Sequence, residues 1–576
     1  MLTRLLRTFL RPFALQSGLV VVLLIAQAGT SLYLPDLNAD IINNGVVTGD
    51  PGYIWRTGGV MLGIVLLLGV IAIVTVYFSS RVSMGVGASL RAAIYRRVQD
   101  FSAAEMSRIG IPSLITRNMN DVQQVQMFLQ SLNLLVIAAV VSVGGVIMAV
   151  REDFALSLLL VVAVPAVALV LGVTLVALIP LLRSLQVKTD RINQVLREQI
   201  TGVRVMRAFL RTGSEQDRFR DANADITRTA LRVNRIAAVA TPGLMVILNL
   251  SSVGVLWFGG LLVSEGKMPI GNLTAFLIYI LQILVSAIMA VTVVIPLPRA
   301  VASAERIAQV LDIVPAITDP ACPVIPARTT GVVEFRHATF GYPSSERPVL
   351  NDLTFLLEPG QTSAIIGGTG IGKTTVLNLI ARFFDVTGGA VLVNGADVRE
   401  QSAGKLRSTI GLVPQKAFLF GGTVGDNLRL GAPDVSDDEL WRVLDVAQAL
   451  DFVASMPGGL DAPIDPGGAN VSGGQRQRLS IARALARCPR LYLFDDCFSA
   501  LDVATEARLR HALRAWTQDA TVVVVAQRVS TVMDADQIIV LDASGVAGIG
   551  SHWQLMDACP LYQEIVASQL GEQAAV

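Results

Sequence analysis

GGTGIGKT, Gly367 to Thr374, has the spacing of a phosphate-binding turn: a glycine, four further residues, then Gly-Lys-Thr. Thr362 to Ile366 read as the strand that feeds it, and Val376 to Phe384 as the apolar helix that leaves it. Such a turn points successive backbone N–H groups at an anion, and side chains at Gly367, Gly368, Gly370 and Gly372 would block that approach. Thr369 and Ile371 complete the loop. Lys373 is placed to reach the terminal phosphate oxygens, and the Thr374 hydroxyl, with Thr375 behind it, is left for Mg²⁺.

Further motifs follow in order. VPQ occupies Val413 to Gln415, and VSGGQRQR, Val471 to Arg478, opens a helical run. The apolar stretch RLYLFDD, Arg490 to Asp496, ends in two aspartates and is followed by SALD, from Ser499 through Ala500 and Leu501 to Asp502. Together these resemble the ATPase domain of ABC transporters, whose order of phosphate loop, glutamine, signature, acidic strand and D-loop they reproduce. That resemblance implies a role for each matching position. Tyr342 in FGYP would stack on adenine. Gln415 would touch Mg²⁺ or the attacking water, and Asp495 would hold Mg²⁺, a hard cation that favours oxygen. Ser472, Gly473, Gly474 and Gln475 would face the γ-phosphate of a nucleotide bound to a second ATPase domain, so that each site is shared between two domains.

Three positions depart from the family's pattern. Asp496 stands where a glutamate is usual, one methylene shorter, and a reacting group misplaced by about an ångström costs on the order of a hundredfold in rate. Gln527 in AQRVST stands where a histidine is usual; it can hydrogen-bond a phosphate but cannot carry positive charge. DPGG, Asp465 to Gly468, replaces an acidic-basic stretch ahead of the signature. With phosphate loop and signature intact, the chain is expected to bind Mg-ATP at a slow site of its own, its catalytic positions Asp496 and Gln527 both altered. It would lend a good signature to a partner's efficient site, as in bacterial heterodimeric exporters.

The N-terminal half is of another kind. The chain has 576 residues, 52% of them hydrophobic, and a net charge of +1; its mean hydropathy of +0.58 excludes an ordinary soluble enzyme. Six stretches lack Asp, Glu, Lys and Arg altogether: Phe13 to Pro35, Thr57 to Ser80, Val122 to Val150, Phe154 to Leu182, Ile236 to Ser264 and Met268 to Pro298. Each exceeds the roughly 20 residues needed to cross a bilayer. Arginines crowd the N-terminus (Arg4, Arg7, Arg11) and the segments after the second span (Arg81 to Arg117) and the fourth (Arg183 to Arg235), whereas the opposite connections carry only Arg56, Arg151 and Lys267. The positive-inside rule therefore puts both termini and both long connections in the cytoplasm. Those connections read as helices that extend the spans, broken at Gly110 to Val122 and at Gly202 to Phe219, which resemble the family's coupling segments. Cys322, Cys488, Cys497 and Cys559 have no metal spacing.

The expected architecture is an α-helical six-span transmembrane domain with long cytoplasmic helical extensions, followed by an α/β phosphate-loop ABC ATPase domain. The transmembrane domain covers 1–300, with helices near 13–35, 57–80, 129–150, 154–182, 238–264 and 270–297. A proline-rich linker at 301–332 leads to the ATPase domain at 333–571 and a tail at 572–576. The expected function is ATP-driven transport across a bacterial inner membrane, in heterodimeric partnership with a second half-transporter that carries a complete site. No mid-membrane charge is present to pair with an ionic substrate, which favours a small amphipathic drug-like or lipid-like molecule. Membrane lipid is a further partner and nucleic acid is not. The expected direction is export; the alternatives are import of a lipid or siderophore-like compound on the same fold, and a regulatory ATP-binding membrane protein.

Overall fold

The computed structural model describes the whole chain except residues 295, 328, 343–344 and 574–576, so the end of the sixth expected span, one linker position, the proline of FGYP and most of the tail lie outside the described residues. The chain divides into two units. One comprises Met1–Gln99 and Ile111–Ile313, the other Asp100–Gly110 and Val314–Val576.

In the first unit six helices are long and apolar enough to cross a membrane among the described residues. Their packing faces follow helical periodicity. Leu24, Ala28 and Leu32 on the Ala14–Ile41 helix recur every four residues and are buried, as are Phe276, Tyr279, Ile280 and Ile283 on the Ile270–Val294 helix. The Tyr279 hydroxyl, which burial would otherwise leave unpaired, donates to the Leu32 carbonyl at 3.0 Å. The opposite faces expose Leu66, Ile73, Val161, Val176 and Trp257; apolar surface of this extent is stable facing lipid, not water.

Three of these helices far outrun a bilayer. Pro51–Gln99, Phe154–Thr201 and Thr212–Ser264 contain 49, 48 and 53 residues. At 1.5 Å per residue each is more than 70 Å long, against roughly 30 Å of hydrocarbon. The excess forms the extensions expected from the amphipathic connections. The first span also runs on through Pro35 to Ile41, past its expected end.

The first break lies earlier than the sequence suggested. The chain turns at Asp100–Gly110, through a short helix, Ala103–Ile109, and Gly110 is the exit from that turn, with φ +82°. Gly110 to Val122 is mostly helical, including a wide turn at Arg117–Asp121. The reason is local: Ser102 and Glu105 form a reciprocal capping box that starts the short helix, and Glu105 also accepts from the Ala316 N–H at 3.1 Å within the second unit. The second break is the helix Val203–Ala208, after which Phe209 and Leu210 are 75% and 89% exposed.

The segment expected as linker begins as helix. Leu297–Leu311 is continuous and belongs to the first unit, where Arg306 and Ser303 bond the buried carboxylate of Asp121. The proline-rich part that follows is extended and lies along the second unit: Arg382 donates to the Thr318 carbonyl, and Asp319 accepts from Ser402 and Ala403.

The second unit is built on a six-stranded sheet. Its strands lie in the order Gly545–Gly550, Gln537–Asp542, Thr362–Gly367, Thr521–Val525, Leu491–Asp495, Ile410–Val413, and all but the Gly545–Gly550 edge run parallel. The central strands are buried along their whole length, as expected of a parallel sheet covered on both faces. A second, antiparallel sheet runs Leu350–Leu357, Val333–Phe340, Gly388–Val393, Ala396–Asp397.

Candidate nucleotide site

Strand order assembles the site. Thr362–Gly367, Thr521–Val525, Leu491–Asp495 and Ile410–Val413 are adjacent and parallel, so their C-terminal ends lie along one edge of the sheet. Those ends deliver, in the same order, the phosphate loop, Gln527, the Asp495–Asp496 pair and Gln415. A crevice beyond the carboxyl ends of parallel strands is where open α/β sheets bind ligands.

The loop has the shape its glycines predict. Gly370 and Gly372 have φ of +82° and +97°, conformations that cost an L-residue strain. A β-carbon at Gly372 would also fall 2.6 Å from the Leu350 side chain, whereas one at Gly368 or Gly370 would meet only open space. The first glycine is therefore required by packing and backbone, and the other two leave a cradle clear for an anion. Lys373 Nζ donates to the carbonyls of Gly367 and Gly368, at 2.7 Å each, and burial pulls its ammonium below the ordinary lysine range. It makes no ion pair within 4 Å among the described residues, so an ammonium stands inside the cradle.

Thr374 Oγ1 donates to Asp495 Oδ1 at 2.9 Å. Asp495 ends a buried strand, and burial pushes its carboxyl above the usual carboxylate range, opposed by the Thr374 hydrogen bond. A hydroxyl and a carboxylate in contact at the foot of a phosphate cradle are the hard oxygen donors Mg²⁺ takes. The residues present thus fit Mg-ATP: Gly367 to Thr374 would hold the phosphates, and Thr374, Asp495 and Gln415 the metal. Bound there, Mg²⁺ supplies positive charge against the phosphate oxygens.

Asp496 and Gln527, the two positions expected to be catalytic and altered, touch each other. Gln527 Nε2 donates to Asp496 Oδ2 at 3.0 Å, and Gln415 Nε2 approaches the same oxygen at 3.4 Å. Asp496 has φ +44°, a region aspartate tolerates better than most residues, and its N–H is held by the Val525 carbonyl at 2.9 Å. Burial raises its proton affinity, against the opposing pull of Gln415 and Lys373.

Tyr342 is tethered through its hydroxyl to Thr375 Oγ1, at 3.0 Å, and packs edge-on to Phe340 and Phe384. At the signature, Ser472 caps the helix Gly473–Ala486 in a reciprocal box with Gln475, whose backbone N–H donates to the serine and whose side chain accepts from the Ser472 N–H. Gly473 has nothing within 4 Å of a would-be β-carbon. Among the described residues no hydrogen bond joins these signature residues to the phosphate loop of the same chain. Ser499 Oγ donates to the Asp496 carbonyl at 2.9 Å, and Asp502 caps the Val503–Trp516 helix through Thr505, so Ala500 and Leu501 sit in a fixed turn. DPGG forms a tight turn with Gly467 and Gly468 at φ +75° and +68°.

Two contacts at the site escaped the sequence reading. One is the Gln527–Asp496 hydrogen bond, whose residues are 31 positions apart. The other is Gln569 on the C-terminal helix, which bonds the backbone on both sides of Arg528; a lone glutamine so far from every motif gave no signal.

Comparison with known proteins agrees in both halves. Residues 17–288 match the family described as ABC transporter transmembrane region, and residues 350–499 the family described as ABC transporter. An uncharacterized ABC transporter ATP-binding protein of Mycobacterium tuberculosis is 46% identical over 574 residues, covering 99% of this chain and 98% of that protein. A fatty acid ABC transporter ATP-binding/permease protein of the same species is 32% identical over 78% of this chain and 71% of its own length. A multidrug efflux ATP-binding/permease protein, also from M. tuberculosis, is 30% identical over 85% of this chain but 41% of its own length.

Proposed function

Because this chain belongs to the ABC transporters, as a multi-pass membrane region joined to a cytoplasmic ATPase domain, we propose that it is the half-transporter with the slow ATP site in a heterodimeric exporter. The observation that carries this reading is the hydrogen bond from Gln527 to Asp496. The two positions that depart from the family's catalytic pattern are bonded to each other, beside an intact phosphate loop and an intact signature. A carboxylate one methylene short, with its outer oxygen engaged by a neutral amide, is poorly placed to take a proton from water. The same amide is placed to hold a γ-phosphate.

In the assembled transporter, Ser472 and Gly473 of this chain complete the partner's efficient site, and ATP held at the slow site keeps the two ATPase domains engaged between cycles. Movement passes to the spans through the coupling turns, the exposed tip at Val203–Leu210 docking on the partner's ATPase domain. The substrate is a small amphipathic molecule, lipid-like or drug-like. That class fits spans without mid-depth charge, and it fits the fatty acid and multidrug names of two relatives.

The test compares single substitutions in the assembled transporter. Asp496→Asn should change steady-state hydrolysis less than about twofold, whereas Ser472→Arg or Gly473→Asp should reduce it on the order of a hundredfold, a bulky or acidic group then meeting the γ-phosphate at the strong site. If Asp496→Asn is the more damaging, strong and weak sites are assigned the wrong way round.

A further inference from the structure

Pro560–Gln573 packs on the ATPase core through one face. Tyr562 and Val566 on that face are buried at 0% and 4% exposure, and the Tyr562 hydroxyl meets His552 Nδ1 at 2.8 Å. These positions fix both the rotation and the register of the helix. Gln569 follows Tyr562 by seven residues and Val566 by three, so it continues the same face. Its side chain ends on the loop that leaves the Thr521–Val525 strand. There Nε2 donates to the Gln527 carbonyl at 2.8 Å, and Oε1 accepts from the Val529 N–H at 2.7 Å. Both ends of one amide are thus spent on the backbone of the loop that carries Gln527, one bond on Gln527 itself and one two residues beyond.

The geometry points to Gln569 as a positioning residue: it clamps the backbone of the Gln527 loop so that the Gln527 side chain stays aimed at Asp496 and the phosphate cradle. The chemistry supports a clamp over simple packing. A side chain that only filled space would not need both a donor and an acceptor, and an amide is the smallest group that offers the two in one plane. The partner groups are otherwise hard to satisfy. The Val529 N–H opens the four-residue helix Val529–Val532, where a first-turn donor has no intrahelical acceptor. The seat of a C-terminal helix is in this way coupled to the aim of Gln527. The inference rests on the holding role given to Gln527 above.

The experiment measures release of radiolabelled ATP, in the presence of Mg²⁺, from the full-length transporter after a chase with unlabelled ATP. It compares the wild type, Gln569→Met, Gln527→Ala and the double variant, with thermal melting of each as a control. Methionine keeps the length and apolar stem but removes both hydrogen bonds. Gln569→Met should speed release about tenfold, with a fall in melting temperature of at most a few degrees from the two lost hydrogen bonds. In the Gln527→Ala background the same substitution should alter release less than about twofold, because the side chain it positions is gone. An equal effect in both backgrounds would make Gln569 a structural residue and overturn the clamp. A wild type that releases slowly, with Gln569→Met unchanged, would overturn the clamp alone. A wild type that releases ATP as fast as Gln527→Ala would instead overturn the holding role of Gln527, and the clamp with it.

Discussion

Asp496 and Gln527 each depart from the family's usual residue, one in length and the other in charge. The carboxylate is one methylene shorter than the usual glutamate, and the amide, neutral where an imidazole is usual, donates to it at 3.0 Å. Replacing either alone leaves a mismatched pair. Asp496→Glu with Gln527→His should restore both reach and titratable contact, so that hydrolysis at this site rises by about a hundredfold, the scale of a one-ångström misplacement. Nucleotide retained after a chase should fall in parallel, and substrate moved per ATP should not improve. A rise in hydrolysis with unchanged retention would detach the holding role from these residues. Lys373 sets the opposite limit: with no carboxylate partner among the described residues, its charge is available to the phosphates, and Lys373→Ala should abolish measurable ATP binding without lowering the melting temperature of the apo protein.

At the scale of elements, turns carry the function. Gly372 opens the Lys373–Ile380 helix in a left-handed conformation against Leu350, and Gly372→Ala should weaken Mg-ATP binding at least tenfold, strain of 1–3 kcal/mol being released by moving the loop. Isothermal titration of the purified chain measures this directly. The coupling tip makes a different prediction: Phe209→Asp should leave ATP binding intact and cut transport in vesicles about tenfold or more, since an exposed aromatic on a turn matters only to what it docks on. What the sequence disclosed at this scale depended on range. The phosphate loop, signature and acidic strand were legible because backbone geometry imposes fixed residue types at fixed spacings. The spans were legible because lipid excludes charge over some twenty residues. The first coupling turn was placed too late because Gly110, which marks its exit, stood out more than the Ser102–Glu105 capping box that starts it. The helix Leu297–Leu311 was hidden by the prolines beyond it, although none lies between Arg299 and Leu311. Gln569 and the Gln527–Asp496 bond were illegible in principle, since both depend on which strands and helices become neighbours.

For the whole molecule, a six-span membrane region and one ATPase domain make half of a transporter, and the signature on the Gly473–Ala486 helix shares no hydrogen bond with its own phosphate loop among the described residues. On the function proposed above, activity at this scale belongs to a pair, in which this chain contributes a sound signature and a slow site. The central claim is that the site on this chain binds ATP but hardly hydrolyses it, and the most direct measurement uses the purified chain alone, with radiolabelled ATP and Mg²⁺. Near-stoichiometric binding that depends on Lys373, accompanied by turnover at least about a hundredfold below that of the assembled transporter, is the result expected. Rapid steady-state hydrolysis by a homogeneous preparation, abolished by Asp496→Asn, would contradict it.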